Sequence, residues 1–260
     1  MVGQLANRTI VGLMLAFQFF SAVPIHKQLP MKKPQVTAMY SSLPLVGASF
    51  GALLAAMLWL LRDGAEVSPM LIAFVLAAAL WALTGGLHMD GLADTADAYF
   101  SYQDRTKRLE IMGDPRIGAF GTMVLIFAIA GKIIVLAELI PSVSLFALAA
   151  VPIISRIGLT VLFNESNPAK TDGLAAYFKT LTDPRSLYIS MAAWSVLLTI
   201  ALWLFCGWQI ALAFVLVPAI ATLLYKKWCE KNFGGVTGDL LGAFVEGMEL
   251  LLWGMLLFFV

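Results

Sequence analysis

The stretch GGLHMDGLADTADAYF, from Gly85 to Phe100, sets three aspartates and a histidine within ten residues, beside a hydrophobic segment. Asp90, Asp94 and Asp97 stand at i, i+4 and i+7, so a helix would gather them on one face. Like charges at that spacing repel, and an ordinary exposed helix gains nothing from them. A divalent cation removes the conflict: carboxylate oxygens are the hard ligands that Mg²⁺ takes, with water and substrate phosphates completing its shell. The alternative is a solvated acidic face at a membrane boundary. Gly85, Gly86 and Gly91 weigh toward a site, because they let backbone and ligand approach closely.

A second stretch repeats the pattern. GGVTGDLLGAFVE, from Gly234 to Glu246, aligns with GGLHMDGLADTAD at a constant offset of 149 residues, which sets Asp239 under Asp90 and Glu246 under Asp97. Two acidic helix starts could therefore face one another across a single site. Glu246 and Glu249 follow Asp239 by about 10 and 15 Å along a helix, which carries them into a hydrophobic segment. Carboxylates at that depth face a bundle interior and mark functional positions. Lys132 and Arg156 are the basic residues that lie inside hydrophobic segments. They either neutralise Glu246 and Glu249 or hold a phosphate, for which arginine has the better geometry.

The elements that must position these groups follow from composition. Of 260 residues 60% are hydrophobic and 13% charged, with a mean hydropathy of +0.87. A soluble domain carries roughly twice that charged fraction, so the chain is an integral membrane protein, all-α and polytopic. A net charge of +1 gives no basic field for nucleic acid. Cys206 and Cys229 form neither a zinc pattern nor a disulfide framework and read as buried apolar thiols.

Segments able to cross the hydrocarbon core as helices are expected at 9–25, 40–61, 68–88, 118–138, 142–163, 187–205, 208–225 and 240–259. The first is short and Pro24 interrupts its end, so a re-entrant or interfacial helix is the alternative, giving seven spans rather than eight. No cleavable signal peptide is expected. Eight spans place segments 26–39, 89–117, 164–186 and 226–239 on one side with thirteen Lys and Arg, against Arg8 and Arg62 on the other. Basic residues mark the cytoplasmic side, so both acidic elements face the cytoplasm. No linker or low-complexity tract divides the chain, and residues 1–260 read as one membrane domain.

Acids beside glycines and basic loops suggest a Mg²⁺-diphosphate site, in which metal bridges phosphate oxygens and cations offset developing charge. An ion transporter lined by acidic helices is the competing class. It would carry its acids near mid-membrane in broken spans, whereas the densest cluster here lies at the cytoplasmic boundary.

GGLHMDGLADTADAYF, RLEIMGDPRIGAFG (Arg108–Gly121) and GGVTGDLLGAFVE together resemble the cobalamin synthase family (CobS), the adenosylcobinamide-GDP ribazoletransferases. The resemblance implies a Mg²⁺-dependent enzyme of the plasma (inner) membrane that acts late in cobalamin assembly. It would join adenosylcobinamide-GDP to α-ribazole, or to α-ribazole 5′-phosphate, and release GMP. It assigns Asp90, Asp94 and Asp97 to Mg²⁺, with Asp239 and Glu246 completing the metal site or holding a second ion. Arg116 of the DPRIGAFG block would grip the diphosphate, with Gly85, Gly86, Arg156, Lys170 and Thr237 as further phosphate-binding candidates. His88 or an aspartate of the cluster, Asp94 or Asp97, would be the general base; a histidine merely hydrogen-bonded at a helix end is the other reading. The segment FFSAVPI departs from the Thr-Arg form of many family members. CDP-alcohol phosphotransferases, which have Ala-Arg where this chain has Ala93-Asp94, and aromatic prenyltransferases, which carry Asn-Asp-x-x-Asp, fit less well. A homo-oligomer, association with other cobalamin-assembly enzymes, and anionic lipid on the basic loops stay open.

Overall fold

The structure, a computed structural model, describes residues 2–260, with side chains from Arg8 onward. Its elements are α1 (Val2–Phe20), α2 (Lys33–Ser41), α3 (Leu43–Leu58), α4 (Pro69–Thr84), α5 (Leu87–Phe100), α6 (Arg105–Ile111), α7 (Ala119–Leu139), α8 (Leu145–Glu165), α9 (Leu174–Thr180), α10 (Pro184–Cys206), α11 (Trp208–Phe233) and α12 (Gly238–Leu256). A π-helical turn, Trp59–Gly64, continues α3. Among the described residues there is no strand, only one isolated bridge between Pro168 and Val236. The all-helical expectation holds, as it must for a chain that satisfies its backbone within apolar segments. Proline within the first two positions opens α2, α3, α4 and α10, while Asp104, Ser144, Asp183 and Thr237 cap α6, α8, α10 and α12 through their side chains.

Among the described residues, five helical stretches are long and apolar enough to cross a bilayer: Lys33–Gly64, α7, α8, α10 and α11. A sixth results if α4 and α5 count together, although they bend by 90°. The expected eight spans, or seven, are therefore not reached by length and composition alone. The expected span at 68–88 stops at Thr84, where Gly85 (φ 63°) and Gly86 (φ 78°) turn the chain through the left-handed region. Within the expected span at 240–259, α12 carries Glu246 and Glu249 as well as Asp239 in its first turn.

The first expected span, 9–25, ends with α1 at Phe20. The part of α1 from Arg8 to Phe20 is apolar and packs on α2, where the Gly12 backbone lies against Ala38 and Met39. Arg8 lines one cavity with Lys27 and Gln35 and another with Lys33 and Asp183. At its other end, the Ala22 amide donates to the Leu83 carbonyl at 2.7 Å, beside the glycine turn. Arg8 thus lies near Lys27 and Lys33 of the basic segments in the fold, the proximity that the re-entrant or interfacial alternative implies. Arg62 stands apart from that group, donating to the Ile140 and Val143 carbonyls at the α7–α8 junction.

The core is built on α8 and α12, both buried around most of their circumference. Small residues bring backbones together: an added Cβ at Gly47 or Gly51 of α3 would stand 2.3 Å from the Pro152 carbonyl oxygen or 2.1 Å from that of Ala149, both in α8. Close packing of this kind holds helices together where lipid removes the hydrophobic drive between them.

Candidate active site

The acidic face forms where α5 crosses α12. A Cβ on Gly91 would fall 2.7 Å from the Asp239 carbonyl oxygen, and one on Gly242 would fall 3.3 Å from the His88 Cα. Contacts 88 to 242 and 91 to 239 run in opposite senses, so the two helices are antiparallel, and the Asp90 end of α5 meets the first turn of α12. The two acidic helix starts recognised in the sequence do come together. Asp90 is exposed; Asp94 and Asp239 are half-buried. Burial, followed by the charges of Asp90, Asp239 and Asp97, pushes the Asp94 carboxyl from 3.8 up to about 6. Burial also raises that of Asp239, against the opposing pull of Lys170.

Lys170 is brought here by backbone pairing. The Ala169 amide donates to the Val236 carbonyl and the Val236 amide to the Asn167 carbonyl, each at 2.9 Å. Gly235 permits this approach, since a Cβ there would lie 2.2 Å from the Asn167 oxygen. A cavity of about 220 Å³ results, lined by Lys170, Asp172, Thr237, Gly238 and Asp239. Lys170 also lines a neighbouring cavity of about 670 Å³ with Tyr177 and Lys179. The Thr237 hydroxyl is buried, accepting from the Leu240 amide at 3.2 Å and lying 3.4 Å from Asp239 Oδ2. It serves first as the cap of α12.

Asp97 is engaged elsewhere. Its Oδ2 accepts from the Gly118 amide at 2.7 Å and its Oδ1 from the Gly121 amide at 2.8 Å, at the start of α7. Arg116, two residues before Gly118, is exposed and pairs with Asp114 at 2.6 Å, holding that carboxyl down to about 2. Arg105 and Arg108 donate to the Lys231 and Asn232 carbonyls that end α11. These are capping roles for loop cations that the sequence marked only by sign.

Three expected site residues lie inside the bundle. Lys132 Nζ lies 2.5 Å from Glu246 and 3.3 Å from Glu249, and Arg156 pairs with Glu249, all four side chains being buried. Arg156 thus takes the counter-ion place that the sequence offered as one of its two roles, and Glu246 sits with Lys132 inside the bundle. His88 is likewise buried, its ring against Gly242 and without a hydrogen-bond partner among the described residues. It is neither capped at a helix end nor presented to the face that carries Asp90.

Among the described residues no three acids or histidines converge at metal-holding distance. The donor chemistry still fits Mg²⁺, which uses one or two carboxylates and leaves its other positions to water and phosphate oxygens. The raised Asp94 carboxyl marks the negative charge that such an ion would balance.

The family model for cobalamin-5-phosphate synthase matches residues 12–257. Adenosylcobinamide-GDP ribazoletransferases from Geobacillus sp. strain WCH70, Geobacillus kaustophilus and Halalkalibacterium halodurans are 34%, 37% and 35% identical, each alignment covering 94% of both chains. No solved structure matches. With the match running through all three motif blocks, this chain belongs to the cobalamin-5-phosphate synthase (CobS) family.

Proposed function

We propose that this chain transfers the adenosylcobinamide-phosphate moiety of adenosylcobinamide-GDP to the 5′-hydroxyl of α-ribazole, or of α-ribazole 5′-phosphate, and releases GMP. The observation that carries the reading is the meeting of Asp90 and Asp94 on α5 with Asp239 on α12, beside a cavity lined by Lys170. The ribazole oxygen attacks the cobinamide-linked phosphorus, the bond from that phosphorus to the bridging oxygen breaks, and GMP leaves with that oxygen.

Asp90, Asp94 and Asp239 would hold Mg²⁺, which supplies charge neutralisation at the diphosphate oxygens. Lys170 draws the diphosphate into the cavity at Asp239, and Arg116 reaches it from the segment before α7. Asp94, partly exposed on the acidic face, is better placed to accept the ribazole hydroxyl proton than the enclosed His88. The site opens to the cytoplasm at the face of a multi-pass protein of the plasma (inner) membrane; the clustering of Lys and Arg on the segments around it supports this orientation. Glu246 and Glu249 are matched by Lys132 and Arg156, which removes the reason to read them as the lining of an ion pathway.

The test is GMP release by purified, reconstituted protein given adenosylcobinamide-GDP and α-ribazole, with and without Mg²⁺, beside Asp94→Asn. Metal-dependent release that collapses in the variant is the expected result. No release from folded protein overturns the transferase reading, and ion flux becomes the assay.

A further inference from the structure

Asp97 ends the run of three acids, yet its carboxylate is spoken for. Both oxygens accept backbone amides at the start of α7, from Gly118 at 2.7 Å and Gly121 at 2.8 Å. The two glycines are shaped to this contact. A Cβ on Gly118 would stand 2.3 Å from Asp97 Oδ1, and one on Gly121 would stand 2.4 Å from Oδ2 and 2.9 Å from the Ala93 carbonyl oxygen. No side chain larger than hydrogen fits at either place without expelling the carboxylate. A carboxylate that accepts two backbone amides is a strong, directional joint.

The joint links two parts of the site. Asp97 lies one turn beyond Asp94 on the acidic face, and Gly118 lies two residues after Arg116. Gly91 fixes the other end of the same face against Asp239. We infer that Asp97 is a positioning residue, not a metal ligand: it fastens the segment that carries Arg116 in register with the face that carries Asp90 and Asp94. This inference rests on the transferase reading for its catalytic consequence, but the joint itself can be tested without it.

The experiment compares Asp97→Asn, Gly121→Ala, their double variant and Asp94→Asn. An asparagine keeps one acceptor and turns an amide donor toward the other N–H, whereas Gly121→Ala leaves the carboxylate in the chain and denies it its seat. In thermal unfolding of the metal-free protein, each single change should lower Tm, and the double variant should lie no lower than the worse single, as two ends of one interaction require. In GMP release, both singles should lose about 100-fold in kcat/KM for the adenosylcobinamide-GDP, the scale of a misplaced substrate group. The Mg²⁺ concentration for half-maximal rate should stay within about threefold of wild type, because the metal's own carboxylates are intact. Additive Tm losses overturn the joint. A raised Mg²⁺ requirement in Asp97→Asn, matching that of Asp94→Asn while Gly121→Ala stays active, overturns the inference by making Asp97 a ligand. If wild type releases no GMP, the transferase reading fails alone and the Tm cycle still decides the joint. Should a variant fail to fold, Gly118→Ala supplies a second cycle with the same carboxylate.

Discussion

Replacing Asp94 by asparagine should abolish GMP release and at the same time make the metal-free protein more stable. Its carboxyl titrates at about 6 in the folded chain against an ordinary 3.8. At 1.36 kcal/mol per unit, roughly two units correspond to about 3 kcal/mol of unfavourable environment for the charged form. Asp94 is only half-buried, so solvent and salt reduce this to about 1 kcal/mol. The penalty has a definite pH window. Below 3.8 the group is neutral in both states and nothing is lost; between 3.8 and about 6 the unfolded chain ionises first, and stability falls as pH rises; above about 6 the full penalty stands. An uncharged amide of the same shape removes it. Thermal unfolding in EDTA at pH 7.5, followed by the fluorescence of the seven tryptophans, should place Asp94→Asn about 2–4 °C above wild type. The two should converge near pH 4. Added Mg²⁺ should raise the Tm of wild type and leave that of the variant nearly unmoved. An Asp94→Asn protein that melts below wild type in EDTA at pH 7.5 would refute the reasoning, because the carboxylate would then be a paired structural group.

Lys132→Met should destabilise the protein by about 3–5 kcal/mol, since it strands Glu246 in the bundle without its counter-ion; adding Glu246→Gln should recover much of the loss in a detergent melt. Gly91→Ala should cut GMP release sharply and raise the Mg²⁺ requirement, because it displaces Asp239, one of the three carboxylates proposed to hold the ion. Its Cβ meets the Asp239 backbone, which cannot swing aside as a side chain would, and a melt should show a loss of about 1–3 kcal/mol. Arg8→Cys and Lys27→Cys, each in a chain freed of Cys206 and Cys229, should react with an impermeant thiol reagent from the same side of sealed vesicles. Labelling from opposite sides would make α1 a span.

Local features were legible in the sequence. The i, i+4, i+7 aspartates, the doubled Gly-Gly openings and the offset of 149 residues depend on neighbours along the chain, and helix geometry converts them directly into faces and turns. Gly91 was marked as a point of close approach, and it is one. What lay beyond reach was partner choice. Asp97 takes its partners 21 and 24 residues onward, where nothing in RIGAFG except its glycines signals two amides waiting for a carboxylate. The charges of Lys132, Arg156, Glu246 and Glu249 balance in sequence, but only the packing of α7, α8 and α12 determines that they pair with one another and not with a substrate.

The charge quartet also bears on how the protein is made. Each carboxylate at the middle of an inserting helix costs about 3 kcal/mol, so Glu246 and Glu249 together oppose partition of α12 by about 6 kcal/mol. Lys132 on α7 and Arg156 on α8 carry the complementary debt, and both leave the ribosome before α12 does. Entry of α12 is thus a docking event on a waiting pair of cations rather than a simple partition into lipid. A nascent chain halted between α8 and α12 would expose two unpaired cations on apolar helices, a mark by which membrane quality control could recognise it as unfinished.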